Sequence, residues 1–132
     1  MARLSSPRPP ERHRALGRLG EAAAAAHLTA LGYRLRDRNF RCPLGEADLV
    51  AEEGEDLVFV EVKTRSGFAF GLPHEAVSWA KQRKLGRVAL WYCHQHGMAE
   101  RGLRFDVVEV LVLGGQVAAV ELYRHAFVPP EG

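Results

Sequence analysis

Two acids and a lysine stand where an apolar surrounding should make them costly. Residues 57–63 read LVFVEVK, a strand-like run that puts Glu61 and Lys63 two apart, on one face. Thirteen residues before Glu61, the run GEADLVA holds Asp48. Buried carboxylates and ammonium groups are unfavourable unless paired or bound to metal. Mg²⁺ takes oxygen ligands from one or two carboxylates and keeps several waters. A lysine beside such an ion can touch a metal-bound water or a scissile phosphate. The chemistry these residue types suggest is metal-assisted hydrolysis of a phosphodiester.

The segment between the two runs, EEGED at 52–56, decides whether the acids meet. A tight turn on Gly54–Glu55, with two or four loop residues, sets Val50 opposite Phe59, Leu49 opposite Val60 and Asp48 opposite Glu61. Glycine in first place suits a type II′ turn. Ala47, Leu49, Ala51, Val58, Val60 and Val62 then share an apolar face. Asp48, Glu61 and Lys63 share the other, with Leu57 and Phe59. Opposed side chains in such a ladder have Cβ atoms about 4.5–5.5 Å apart, and like charges there are destabilising. A shared proton or a shared cation would resolve the conflict. Lys63 projects from the same face, about 6.6 Å along from Glu61, and Glu46 falls opposite it as a salt-bridge partner. A three-residue loop would slip the register and separate the acids. The competing reading is a solvated face carrying an ordinary ion pair.

Charge is segregated along the chain although the net charge is only +2. Residues 1–41 hold nine Arg against three acids, residues 42–62 seven acids and no base, and residues 63–104 eight Lys or Arg against two acids. This is the pattern of a metal site ringed by a phosphate-binding surface, or else of scattered surface charge. Arg outnumbers Lys fifteen to three, and the lysines are Lys63, Lys81 and Lys84. A compact ammonium suits a position beside a reacting water or a phosphate, so this usage marks Lys63 again.

The elements that must position these residues are legible. RALGRLGEAAAAAHLTALGY reads as a helix from about Ala15 to Leu31, stopped by Gly32. Strand-like runs follow at about 33–40, 47–53 and 57–63. A glycine-containing loop leads to a second helix from about His74 to His96, whose stripe Val77, Ala80, Val88 and Trp91 should pack inward. Strands at roughly 104–113 and 116–123 are joined by Gly114–Gly115, a hairpin signal. The order α-β-β-β-α-β-β predicts an α/β (α+β) fold, a mixed β-sheet flanked by helices. With 132 residues, the chain has room for one domain. We expect a loose basic arm at 1–13, a single domain at 14–125 and a frayed tail at 126–132. Cys42 and Cys93 have no paired spacing, which fits a reducing cytoplasm and argues against structural zinc or disulfides. His94 and His96 read as surface residues. No apolar run nears the roughly 20 residues a bilayer requires, and the start lacks the apolar stretch of a secretory signal.

An acid on one strand followed by E-x-K on the next resembles the PD-(D/E)-x-K nuclease superfamily. That superfamily includes type II restriction enzymes and archaeal Holliday junction resolvases. The chain is more similar still to the small YraN-type bacterial family. The likeness rests on an ordered set: GRLGE (17–21), GEADLV (45–50), VFVEVKTR (58–65), FGLPHEAV (70–77), KQRKL (81–85) and RFDVV (104–108). It implies a restriction-endonuclease-like sheet in which Asp48, Glu61 and the Val62 carbonyl bind Mg²⁺ or Mn²⁺. Lys63 would orient or deprotonate the attacking water. Glu21 matches an additional helical acid, against the plain reading of a solvated helix glutamate. Lys81 matches a helical polar residue that reaches the site. The superfamily's nominal proline before the first acid is Ala47 here.

Around this centre, Arg65, Lys81, Lys84 and Arg87 are candidate contacts to nucleic-acid phosphates, or members of a solvated face. Asp106 reads as structural. The expected function is a metal-dependent nuclease, with DNA favoured and shape rather than sequence read, since no residue pattern here reads bases. The rival is a non-catalytic nucleic-acid-binding module on the same fold. Resolvase-like action on a two-fold substrate would call for a homodimer, though the sequence displays no interface.

Overall fold

The computed structural model describes residues 9–67 and 77–131, with Pro9 and Pro10 described by backbone alone. The elements are α1 (Pro9–Ala30), β1 (Arg34–Cys42), β2 (Gly45–Glu53), β3 (Asp56–Ser66), α2 (Trp79–Gln95), β4 (Gly102–Leu113) and β5 (Gln116–Tyr123). The predicted order therefore holds. One sheet carries all five strands in sequence order. Its pairs are antiparallel except β3–β4, which is parallel because α2 carries the chain back across the sheet.

Period-two alternation in the central strands feeds two cores, one under each helix. Leu49, Ala51, Val58, Val60, Val108 and Val110 pack with Ala24, Ala25 and Leu28 of α1. Val50, Leu57, Phe59, Phe105 and Val107 pack with Leu85, Val88, Ala89, Tyr92 and Cys93 of α2. The sheet is thus covered on both faces. The β2–β3 hairpin turns on Gly54 and Glu55, closed by the Glu53–Asp56 pair. Gly54 alone of the two takes a positive φ, 58°, the pattern of a type II′ turn. Leu49 opposes Val60 and Val50 opposes Phe59, as the turn chemistry predicts.

Several expectations are corrected. The first helix starts at Pro9, so residues 9–13 are helical rather than a loose arm; residues 1–8 lie outside the described residues. Helix α2 starts at Trp79, where Ser78 caps it by accepting the Lys81 N–H at 3.1 Å. His74–Ala76, expected to be helical, lie outside the described residues. Within α2, Ala80 is exposed and Trp91 half-buried, while Tyr92 is fully enclosed. Tyr92 meets Phe40 and Phe59 edge-on, with centroids 5.0 and 5.6 Å away. The inward stripe therefore runs through Leu85, Val88, Ala89 and Tyr92. The tail expected to fray is packed. Ala126 N–H donates to the Phe105 carbonyl at 2.8 Å, and Phe127 stacks on Phe105.

The expectation that Ala47 shares a face with Leu49 and Ala51 also fails. Ala47 belongs to the α2-side core, as does its β1 partner Phe40, whereas Leu49 packs under α1. The switch occurs where the β1–β2 ladder skips the Asn39–Asp48 pair, and Asn39 adopts φ 54°. A residue in the left-handed region breaks strand alternation, and asparagine tolerates it better than most. The sheet is therefore irregular at Asp48. Asp106 is structural as expected: fully buried, it accepts from Tyr33 Oη, Arg104 and the His125 N–H.

Candidate functional site

The β2–β3 ladder closes at Leu49–Val60, one pair short of Asp48 and Glu61. Beyond it the strands part, and Asp48 reaches into the gap, its Oδ2 accepting the Val62 N–H at 2.8 Å. The regular ladder would have brought Ala47 opposite Val62. The carboxylate thus takes the place of a main-chain acceptor, and the expected face-to-face pairing of two acids becomes a fork with one acid in its crotch. In a strand the N–H and C=O of one residue point to the same edge. The Val62 carbonyl therefore also points toward β2.

Glu61 is 3% exposed and lines a cleft of about 900 Å³ walled by the β1–β2 connection and the first turns of α2. Burial foremost, and then the charge of Asp48, push its pKa up to about 7, against the lowering pull of Lys81 and Lys63. Lys81 reaches down from α2 and its Nζ ion-pairs with Glu61 Oε1. Burial works against the Lys81 charge, but the hydrogen bond to Glu61 and the charges of Glu61, Asp48 and Glu46 prevail and raise its pKa. Two ammonium groups, Lys81 foremost and then Lys63, therefore act on a small cluster of acids.

Glu21 approaches from the α1 side. Burial and the charge of Asp48 raise its pKa, while a hydrogen bond from Asn39 and the charge of Arg38 pull it down. It is carried there by close contact between α1 and β3. A Cβ built on Gly20 would overlap Thr64 Oγ1, with Thr64 Cβ and Cγ2 at 2.8 and 2.9 Å. Only glycine allows the helix this near. Asn39, with its side chain on Glu21 and its backbone at the sheet irregularity, escaped the sequence reading. The available signal was an asparagine, which accepts a left-handed conformation, inside an otherwise strand-like run.

The other candidates divide. Lys63 is half-buried beside Glu109 in the parallel ladder, and its charge is felt at Glu61. Neither it nor Asp48 lines the cleft. Lys84 does, laying its stem over Gly45. Arg65 is turned toward buried Glu109, Nε to Oε1 3.4 Å, and so is not aimed into the cleft. Arg87 lines a separate groove with Arg83, Leu90 and Pro129. Glu46 pairs with Arg41 at 3.3 Å instead of Lys63, because the parted strands no longer place it opposite the lysine. Among the described residues, no three His, Cys, Asp or Glu side chains converge to hold a metal ion. The donor set on hand is two carboxylates and a backbone carbonyl, which suits a hard ion that retains water.

Comparison with known proteins adds a family. Residues 20–110 match the family described as "Uncharacterised protein family UPF0102". A UPF0102 protein of Moorella thermoacetica is 52% identical over 112 residues, 84% of this chain and 93% of the relative. One from Symbiobacterium thermophilum is 55% identical over 97 residues, 74% and 82% of the two chains. One from Geobacter sulfurreducens is 46% identical over 112 residues, 85% and 88%. The matched span contains Glu21, Asp48, Glu61, Lys63 and Lys81.

Proposed function

The chain belongs to the UPF0102 family, and we propose that it is a metal-dependent nuclease that hydrolyses phosphodiester bonds, preferentially of DNA and by shape rather than sequence. The observation that carries this reading is the fork. Asp48 is fixed by the Val62 N–H at the point where β2 and β3 separate, next to a buried Glu61 that opens onto a cleft with lysines on its wall.

The donors present fit Mg²⁺ or Mn²⁺. Glu61 sits in surroundings that already call for a cation, since Lys81 supplies one. Asp48, Glu61 and the Val62 carbonyl are the groups that would hold the ion. When bound, a divalent ion supplies charge for a phosphoryl oxygen and lowers the pKa of its water.

The chain's own residues do the remainder. The Asp48–Val62 bond ties one carboxylate oxygen to the backbone of β3, which sets its position. Lys63 is two residues along β3 from Glu61 and brings an ammonium to orient water or offset charge developing on phosphate. Glu21, steadied by Asn39, adds a third acid, from the α1 side of Asp48. Lys84 lines the cleft wall and would contact a phosphate there.

The test is cleavage of duplex, nicked and branched DNA with Mg²⁺ or Mn²⁺. Asp48→Asn and Lys63→Ala should each lower cleavage by at least about a hundredfold while DNA binding persists. Wild-type protein that binds these DNAs but cleaves none, with either metal, would instead be a binding module.

A further inference from the structure

Lys81 occupies an unusual place. Its backbone is locked at the start of α2 by the Ser78 cap, yet its side chain is 47% exposed and only the ammonium end meets the buried Glu61. A lysine is held there by a point charge on a flexible stem, without the two-pronged grip of an arginine. Its Nζ sits on the carboxylate that, on the reading above, would ligate the metal. We propose that Lys81 is a built-in counter-ion that competes with the divalent cation for Glu61, so that a nucleic-acid phosphate, by drawing Lys81 away, makes metal and substrate bind cooperatively.

The physical argument begins with Glu61. Burial penalises the charge of a carboxylate only 3% exposed, and a cation placed on it offsets that cost. Lys81 is that cation here, its Nζ paired with Glu61 Oε1. A divalent ion and an ammonium on the same carboxylate repel, so metal entry requires Lys81 to leave. The stem is half-exposed and opens on the cleft, and Lys84 stands one turn along on the same wall. A phosphate in the cleft therefore offers Lys81 a new partner as it gives up Glu61. Since binding free energies are reciprocal, substrate must tighten metal by the same factor that metal tightens substrate. The device would keep the hydrolytic ion loosely held until nucleic acid arrives.

This inference rests on the proposed metal site, and the experiment separates the two. Free Mn²⁺ is titrated by electron paramagnetic resonance against wild type, Lys81→Met, Lys81→Gln and Glu61→Gln. Titrations run with and without a duplex containing non-cleavable phosphorothioate linkages. Without DNA, both Lys81 variants should bind Mn²⁺ about tenfold tighter than wild type, the lower end of typical coupling between sites. Added duplex should tighten Mn²⁺ for wild type and leave the Lys81 variants unchanged. Lys81 variants that bind Mn²⁺ no tighter than wild type, with binding still lost in Glu61→Gln, overturn the counter-ion role and leave the metal site standing. Absence of Mn²⁺ binding in every protein, or binding indifferent to Glu61→Gln, overturns both. Circular dichroism on each variant secures the comparison by showing that the fold is retained.

Discussion

At the residue scale, the site is a problem of charge in a confined place. Glu61 is raised to about 7 from an ordinary value of 4.5 by burial and by Asp48. The folded protein therefore holds this proton more tightly than the unfolded chain does. The stability this group contributes is greatest below about 4.5 and falls as pH climbs toward 7. Glu61→Gln removes the charge and keeps the shape. Thermal melts of the variant should show a flatter pH dependence across that window and a higher Tm than wild type at about pH 8. A lower Tm there would mean that the pair with Lys81 more than offsets burial. Asp48 and Lys63 belong to the same scale: if the proposed nuclease reading holds, losing either lowers cleavage at least about a hundredfold without unfolding the chain.

At the element scale, α1 and β3 must approach closely enough to bring Glu21 near Asp48, and Gly20 permits it. Gly20→Ala drives a methyl into Thr64, whose Oγ1, Cβ and Cγ2 all crowd the position. Overpacking of this kind costs about 1–3 kcal/mol, measurable by urea denaturation. Gly17, one turn earlier, has nothing within 4 Å of a built Cβ. Gly17→Ala should stabilise by up to about 1 kcal/mol through helix propensity alone. Opposite signs for two glycines on one helix would distinguish close packing from propensity. The sequence predicted this helix from its composition, but nothing local separates the glycine that packs from the glycine that does not.

At the scale of the whole molecule, the sheet is a three-layer body closed at one corner by its own tail. Phe127 is 9% exposed and stacks on Phe105, while Pro129 leans on Gly86 of α2. Phe127→Ala should cost about 2–3 kcal/mol, just under the range for a fully enclosed phenylalanine, read from the midpoint of chemical denaturation. An unchanged midpoint would restore the view of a frayed end. Among the described residues no helix is long and apolar enough to cross a membrane.

The amino-acid sequence by itself determined the order of elements, the apolar face that Val58 and Val60 share on β3, and the register of the β2–β3 hairpin. It could do so because alternation and a glycine turn are local, short-range rules. It also identified Asp48, Glu61, Lys63 and Lys81 as the charges that require explanation. Only the tertiary structure decided where those charges go. The β2–β3 ladder opens before Asp48, Asn39 bends β1 beside it, Lys81 crosses from α2 to Glu61, and Arg65 turns to Glu109. The physical reason is reach. A long side chain has many rotamers and chooses among partners brought near by distant parts of the chain, a choice that no local periodicity encodes.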